Sequence, residues 1–324
     1  MCTAISFVAG NHYFGRNLDL EERYDENVTI TPRNYILKYK SGEIERRHFA
    51  FIGTATVIND YPLYYDATNE FGLSIAGLNF VGNSYLYNDM DRSFINLAPY
   101  ELIPYILGKC QTVKQAVEVL ENIRLVDIRF AKNIPNAQLH WLISDKEQSV
   151  TFEYVKNGAR IYDNIVGVLT NNPTFDYHMM NLNNYMSLSN SSPVNCFDKS
   201  MKLNEYSRGM GAIGLPGDFS SSSRFIKAAF VKANSVVPEC EEERVSQTFH
   251  ILDSVSQVAG SVMVNGKYER TQYTSCCNTD KCIYYYKTYN NSQISTVNMY
   301  NENIDENKLI SYKMSFNEKI NYIN

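Results

Sequence analysis

Residues 1–20 read MCTAISFVAGNHYFGRNLDL and predict two β-strands joined by a tight turn. Residues 3–9 alternate loosely between apolar and other side chains, and an extended apolar pattern resumes over residues 12–19. Gly10 and Asn11 between them are a turn signal. Antiparallel pairing of the two strands would bring the end of the second strand beside the start of the first, where Cys2 lies.

Cys2 is the candidate nucleophile, because removal of Met1 would expose both its thiol and its α-amino group. Initiator methionine is removed when the following side chain is small, and cysteine is small enough. An α-amino group has a reference pKa of about 7.7–8.0, so part of it is unprotonated at neutral pH. One residue would then supply nucleophile and general base together. Many proteins begin Met-Cys by chance, so a catalytic role for Cys2 needs support from other residues.

Arg16 and Asp19 are those neighbours, three positions apart in the second predicted strand. An arginine near a thiol favours the thiolate, and an aspartate can accept a hydrogen bond from the amino group and hold it. The alternative interpretation is an ion pair on a strand surface. The two charges together with Cys2 favour a catalytic site.

Further along the chain, strands and helices are predicted in separate blocks. Strands are expected over residues 63–66 and 72–80, and a Thr112/Gln115 capping box predicts a helix over 112–123. Because the blocks do not alternate strand by helix, an α+β fold is favoured over a doubly wound parallel sheet. No linker or repeat is visible, so one domain over residues 1–324 is expected.

The second half continues with a hairpin and two helices. Asn157-Gly158 is a hairpin signal between the strand SVTFEYV and a strand IVGVLT at residues 165–170. Residues 171–220 are rich in Asn, Ser, Gly and Pro and predict mainly loop, with a short helix near 177–186. Helical spacing follows over 224–233 and 243–258, and strands are expected near 271–274, 282–289 and 293–299.

Composition excludes several classes of function. The 324 residues are 44% hydrophobic, and 30 basic against 35 acidic residues give a net charge of −5. No basic run suggests nucleic-acid binding, no stretch of eighteen apolar residues could span a membrane, and the N-terminus lacks the features of a signal peptide. We expect a soluble, cytoplasmic protein.

Cysteine and histidine placement argues against a metal site. Cys276, Cys277 and Cys282 form a tight group, but a structural zinc ion needs four ligands and no histidine follows His250. An odd number of seven cysteines without a secretion signal favours free thiols. Among the histidines, His140 lies in a strand pattern and is expected to be packed. His178, near Asn171, is the one that could shape a pocket.

Five spaced motifs carry a resemblance to a known family. They are Met1-Cys2-Thr3, Phe14-Gly15-Arg16-Asn17-Leu18-Asp19, Gly77-Leu78-Asn79-Phe80, Leu169-Thr170-Asn171-Asn172-Pro173-Thr174-Phe175 and Ser221-Ser222-Ser223-Arg224-Phe225. Their order and spacing resemble the choloylglycine hydrolases, the bile salt hydrolases and penicillin V acylases of the N-terminal-nucleophile superfamily. The resemblance extends over essentially the whole chain and implies a four-layer αββα fold with two stacked antiparallel sheets.

The resemblance also implies roles for six residues. Cys2 matches the nucleophile, Arg16 and Asp19 match the pair around the thiol and the new amino terminus, and Arg224 matches a second arginine behind the nucleophile. Asn171 matches the amide of the oxyanion hole. Asn79, which is expected to assist it, stands where bile salt hydrolases tend to have asparagine and many penicillin V acylases have tyrosine.

The implied activity is hydrolysis of the amide between a bile acid and glycine or taurine, through an acyl-thioester on Cys2 and without a metal or organic cofactor. Family segments that line the acyl pocket contain Leu18, Tyr24, Tyr65, Phe130 and Ile134, which with Cys2, Arg16 and Asn79 form the expected binding site. The family also implies a homotetramer. Two alternatives remain: a penicillin V or acyl-homoserine-lactone acylase, and a non-catalytic steroid-binding protein on the same fold.

Overall fold

Two large antiparallel sheets stack face to face between two layers of helices in the computed structural model, which describes residues 1–324. The expected α+β fold with four αββα layers is confirmed. The strands are β1 (Cys2–Ala9), β2 (Asn11–Leu20), β3 (Asn27–Thr31), β4 (Leu37–Lys38), β5 (Ile44–Glu45), β6 (Phe51–Ile58), β7 (Tyr61–Asn69), β8 (Ser74–Asn79), β9 (Ile95–Leu97), β10 (Ile123–Leu125), β11 (Leu139–Ser144), β12 (Ser149–Val155), β13 (Gly158–Asp163), β14 (Val168–Leu169), β15 (Val262–Val264), β16 (Lys267–Asn278), β17 (Ile283–Thr288), β18 (Asn291–Asn298) and β19 (Ile310–Lys313).

The first sheet has the strand order β14-β1-β2-β16-β17-β18, with β15 also paired to β16. The second sheet has the order β13-β12-β11-β8-β7-β6-β3-β19. The helices are α1 (Leu102–Lys109), α2 (Val113–Leu120), α3 (Phe175–Leu182), α4 (Ser221–Ala233) and α5 (Glu241–Asp253). Neither sheet follows chain order, so residues far apart in sequence meet where the two sheets face each other.

Helices cover the outer face of each sheet. α1 and α2 pack on the second sheet, while α4 and α5 pack on the first. In α2 the apolar residues Val113, Ala116 and Leu120 recur at helical spacing and are buried, as the sequence predicts. The Thr112 hydroxyl accepts a hydrogen bond from the Gln115 backbone N–H, which begins the helix. None of the five helices has the length and apolar character needed to cross a membrane.

Two apolar clusters form the core. One lies between the second sheet and its helices and contains Trp141 and Phe152. The other includes Ile52, Leu78 and Ile5 and joins the facing sides of the two sheets to the α4–α5 layer. Burial of apolar area in these clusters stabilises the layers by about 25 cal/mol per Å² removed from water. The stacking of the two sheets is thereby fixed.

The predicted β1–β2 hairpin is confirmed, with Ala9 opposite Asn11 and Cys2 opposite Leu18. Gly10 adopts a φ of 75° in the turn, a conformation that favours glycine. On its other side β2 pairs with β16, and a Cβ at Gly15 would lie 2.4 Å from the Ser275 carbonyl oxygen. A glycine at this position therefore lets the two strands pair directly beside Arg16.

The hairpin at residues 157–158 forms, but its second strand is β13 and not the predicted strand 165–170. Within that stretch only Val168–Leu169 is a strand, and it pairs with β1 in the other sheet. The Asn164 side chain accepts from the Gly167 N–H and donates to the Val168 carbonyl, so it bends the chain from one sheet to the other. Helices α2 and α5 also end earlier than predicted, at Leu120 and Asp253.

Candidate active site

Cys2 begins β1 and lies at the bottom of a cleft between the two sheets. Its side chain is almost fully buried, with 2% relative exposure. The sulfur accepts a hydrogen bond of 2.8 Å from Nη2 of Arg16, and the Cys2 nitrogen donates to Oδ1 of Asn171 at 2.8 Å. Three residues that the sequence predicted from separate motifs are thus in direct contact.

Arg16 is held from three sides. Besides the sulfur, its guanidinium donates from Nη1 to the carbonyl oxygens of Tyr65 and Gly77, both at 2.8 Å. Burial opposes its charge, but the neighbouring Cys2, Tyr273 and Asp66 outweigh this and raise the pKa of Arg16. The guanidinium therefore remains a cation in a dry environment, and its Nη2 is directed at the thiol.

Arg224 lies behind Cys2 and fixes the Asn171 side chain. Its Nη1 donates to the Cys2 carbonyl and to the Thr3 hydroxyl, and its Nη2 donates to Asn171 Oδ1 at 2.8 Å. The Asn171 Nδ2 donates at 2.8 Å to the backbone carbonyl of Asn79. Because Oδ1 faces two donors and Nδ2 faces an acceptor, the orientation of the carboxamide is determined. The second N–H of Nδ2 is not used in the bond to Asn79.

Asp19 is fully buried one residue past the Cys2–Leu18 pair. Its Oδ1 accepts from the Thr271 hydroxyl at 2.6 Å, while Oδ2 is buried without a hydrogen-bond partner. Burial raises the pKa of this carboxyl group, although Arg224 and the nearby amino terminus oppose the change. Met1 donates from its ammonium to the Asp19 carbonyl and forms an ion pair with Glu269. With Met1 in place, the Cys2 nitrogen belongs to a peptide bond.

A cavity of about 680 Å³ opens above the thiol. All eight residues expected in the binding site line it: Cys2, Arg16, Leu18, Tyr24, Tyr65, Asn79, Phe130 and Ile134. Most other lining side chains are apolar and were not predicted, among them Leu20, Ile58, Leu63, Tyr100, Pro135 and Leu139. The few polar ones are Glu21, Thr56, Asn133 and Asn136. Their segments join at the cavity only through the tertiary fold, so no local pattern indicated them.

His140 and His178 lie outside this cavity. His140 is buried, stacks on Phe80 with ring centroids 4.3 Å apart, and donates from Nε2 to the Thr170 carbonyl. His178 donates to the next carbonyl, that of Asn171, at 2.9 Å. Burial lowers the pKa of His178 to about 4, so the ring is neutral near pH 7. The packed His140 is confirmed, and His178 supports the Asn171 backbone from behind.

Asp66 is a charged residue close to the site that the sequence patterns did not indicate as functional. It is buried and accepts from the Tyr273 hydroxyl at 2.7 Å, although the sequence indicated only a strand ending there. Buried carboxylates are rare without a partner, so an aspartate within the apolar run YPLYYDA was the available signal.

The remaining cysteines are free thiols. Cys276, Cys277, Cys282 and Cys110 are buried, and Cys196 and Cys240 are exposed. Burial raises the pKa of Cys276 and Cys277, which opposes thiolate formation there. The structure contains no cluster of three or more side chains that could hold a metal ion.

Comparisons with known proteins agree with one another. A family model described as linear amide C–N hydrolases, choloylglycine hydrolase family, matches residues 2–312. The chain is 52% identical over 315 residues to a bile salt hydrolase/transferase of Lactiplantibacillus plantarum, covering 97% of each protein. It superposes on the C2A mutant of the conjugated bile acid hydrolase of Clostridium perfringens with a TM-score of 0.92 and 37% identity over 100% of both chains. A penicillin V acylase of Agrobacterium tumefaciens, 20% identical, shares the fold with a TM-score of 0.77 over 96% of this chain and 91% of its own.

Replacement of Arg16 by glutamine is expected to slow alkylation of Cys2 by iodoacetamide at pH 7 by about tenfold or more. The substitution removes the cation that contacts the sulfur, and thiolate is the reactive form. Peptide mass spectrometry measures the rate at Cys2, and the exposed Cys196 and Cys240 are internal references whose rates should not change. An unchanged rate at Cys2 in a folded variant would show that Arg16 does not activate the thiol.

Proposed function

The chain belongs to the choloylglycine hydrolase family of linear amide C–N hydrolases, and we propose that it hydrolyses the amide bond of bile acids conjugated to glycine or taurine. The observation that carries this proposal is the Cys2 thiol at the bottom of a mostly apolar cavity, in contact with Arg16. The names of the Lactiplantibacillus plantarum and Clostridium perfringens relatives support this choice of substrate.

The reaction proceeds in two acyl-transfer steps. The Cys2 sulfur attacks the amide carbon, and the tetrahedral intermediate collapses with transfer of a proton to the departing nitrogen. This breaks the C–N bond, releases glycine or taurine and leaves the bile acyl group as a thioester. Water then attacks the thioester, which releases the free bile acid and regenerates the Cys2 thiol.

We propose that the mature enzyme begins at Cys2 and that its α-amino group moves the protons. The amine would take the thiol proton and donate it to the leaving nitrogen. Two features support this arrangement: Asn171 Oδ1 already accepts from the Cys2 nitrogen, and the buried Oδ2 of Asp19 has no partner. Asp19 would accept one of the new N–H groups and hold the amine in position.

Asn171 and Asn79 are proposed as oxyanion donors. Arg224 and the Asn79 carbonyl fix the Asn171 carboxamide, so its remaining N–H is preorganised and needs no reorientation during the reaction. The Asn79 side chain lines the cavity at the end of β8. Loss of one such donor typically costs about 3–4 kcal/mol of transition-state stabilisation.

The cavity suits the steroid part of the substrate. Its volume of about 680 Å³ falls in the range of roughly 300–1,000 Å³ that is usual for small-molecule sites. Leu18, Tyr65, Phe130 and Ile134 would bury the apolar ring system, while Tyr24, 56% exposed, would cover its outer end. We also propose a homotetramer, which the family resemblance implies, and a bacterial cytoplasmic location.

A parallel assay of glycocholate, taurocholate and penicillin V tests the function. We expect release of glycine or taurine and at least tenfold lower turnover of penicillin V, and Cys2→Ala should abolish hydrolysis while leaving the melting temperature near that of the parent. Faster turnover of penicillin V would identify an acylase of the alternative type. Steroid binding without any turnover would identify a binding protein.

Asn79→Tyr is expected to lower kcat/KM on glycocholate by one to three decades, at about 1.4 kcal/mol per decade. The substitution keeps the backbone carbonyl that holds Asn171 but replaces the compact amide by a bulky ring. Alkylation of Cys2 should continue at the parent rate, which provides the control for an intact nucleophile. Parent-level hydrolysis of glycocholate would show that Asn79 does not contribute to catalysis.

A further inference from the structure

Asp66 is a buried carboxylate between the two sheets that the reaction described above does not use. It lies on β7 of the second sheet with 3% exposure. Three hydroxyl groups of the first sheet donate to it: Tyr273 at 2.7 Å, Tyr284 at 2.5 Å and Ser275 at 3.3 Å. Both carboxylate oxygens are thus occupied by donors, an arrangement that favours the ionised form.

Asp66 and Arg16 are neighbours by two independent connections. The carbonyl of Tyr65, the residue before Asp66, accepts a hydrogen bond from Arg16. Ser275, which donates to Asp66, is the direct β-sheet partner of Arg16. No hydrogen bond joins the two charged groups themselves, so Asp66 acts on the guanidinium through its charge.

A β-bulge directs Asp66 toward Arg16. Asp66 pairs with Thr54 and Tyr64 pairs with Ala55, so Tyr65 is an extra residue in β7. Tyr64 belongs to the cluster beneath α1 and α2, whereas Tyr65 packs against the cluster between the sheets. Without the bulge, strict alternation would place Asp66 on the same side as Tyr64.

During the catalytic cycle Arg16 needs a counter-charge that Asp66 can supply. A buried cation without a counter-charge is strongly destabilised. The Cys2 sulfur is an anion only as the thiolate, and it is neutral as the thiol and as the acyl-thioester. Arg16 therefore lacks a negative partner at Cys2 for part of every turnover.

We propose that Asp66 is a positioning residue that supplies Arg16 with a permanent counter-charge and thereby limits how strongly Arg16 stabilises the Cys2 thiolate. The proposal deepens the proposed function, since it concerns the same nucleophile. Burial raises the pKa of Asp66, and the lowering by Arg16 and the three hydroxyls offsets only part of that rise. Tyr273 and Tyr284 have pKa values raised well above the ordinary one by burial and by Asp66, so both remain hydrogen-bond donors.

Other charged groups around the thiol contact different atoms. Arg224, on α4, contacts the Cys2 carbonyl, and Asp19 on β2 and Glu269 on β16 lie at the Met1 side. Tyr65 on β7 hydrogen-bonds Thr56 through its hydroxyl. Asp66 is the carboxylate that accepts a hydrogen bond from Ser275, the residue paired with Arg16 across the sheet.

The variant Asp66→Asn tests the proposal. Mass spectrometry measures the rate of Cys2 alkylation at a series of pH values, and the midpoint is the pH at which the rate is half its plateau value. Loss of a nearby negative charge favours the thiolate, so the midpoint should move to lower pH by about one unit. The plateau rate at high pH should fall about threefold, because a less basic thiolate is a weaker nucleophile. Asp66→Glu, which keeps the charge, should restore the parent midpoint.

Glu101→Gln is the matched control, since it neutralises a buried carboxylate that accepts from backbone N–H groups of Ala98 and Lys40 beside α1. It should leave the midpoint unchanged. If Asp66→Asn does not fold, the double variant Tyr273→Phe/Tyr284→Phe removes two donors, promotes protonation of Asp66 and should move the midpoint in the same direction.

An unchanged midpoint in either folded variant would overturn the role of Asp66. The readout needs no bile salt, so the outcome is independent of the substrate assay. A shifted midpoint in a protein that does not turn over glycocholate would support the counter-charge and refute the proposed substrate.

Discussion

The buried guanidinium of Arg16 is the interaction on which the site depends. It belongs to the first sheet, donates to two carbonyl groups of the second and contacts the Cys2 sulfur with its remaining amino group. A cation in this position ties the sheets together through charge-assisted hydrogen bonds, and we propose that it also activates the thiol. It also requires the sheets to face each other in one register, because the carbonyls of Tyr65 and Gly77 must meet the same Nη1 atom.

A few residues near Cys2 and Arg16 place these two side chains in contact. The β1–β2 hairpin carries Arg16 to the strand beside Cys2, and Gly15 lets β16 approach from the other side. Arg224 and Asn171 then close the site from behind through the Cys2 carbonyl and nitrogen. The thiol is left with one open direction, which is the apolar cavity.

Much of this arrangement could be predicted from the sequence where the contacts are local. Cys2, Arg16 and Asp19 lie within one hairpin, so strand pairing alone brings them together. Asn79, Asn171 and Arg224 come from distant segments, and only the family resemblance indicated that they belong to the same site. The strand at residues 165–170 was predicted wrongly because the Asn164 side chain and Gly167 turn the chain between sheets.

Asp66 shows what sequence patterns cannot reveal. Alternation along β7 would place it with Tyr64 on the helix-covered side, and the bulge at Tyr65 reverses that placement. The bulge depends on the pairing of β6 with β7, which is a property of the folded sheet. No spacing rule within residues 61–69 could therefore have connected this carboxylate with Arg16.

In the proposed mechanism Cys2 supplies both nucleophile and base, which requires a free α-amino group on this residue. The direct measurement is glycocholate turnover by two preparations that intact mass spectrometry shows to begin at Met1 and at Cys2. We expect turnover only from chains that begin at Cys2, and its onset when an aminopeptidase removes Met1 from the other preparation. Full turnover by chains that retain Met1 would contradict this mechanism, because a peptide nitrogen cannot accept the proton of the thiol.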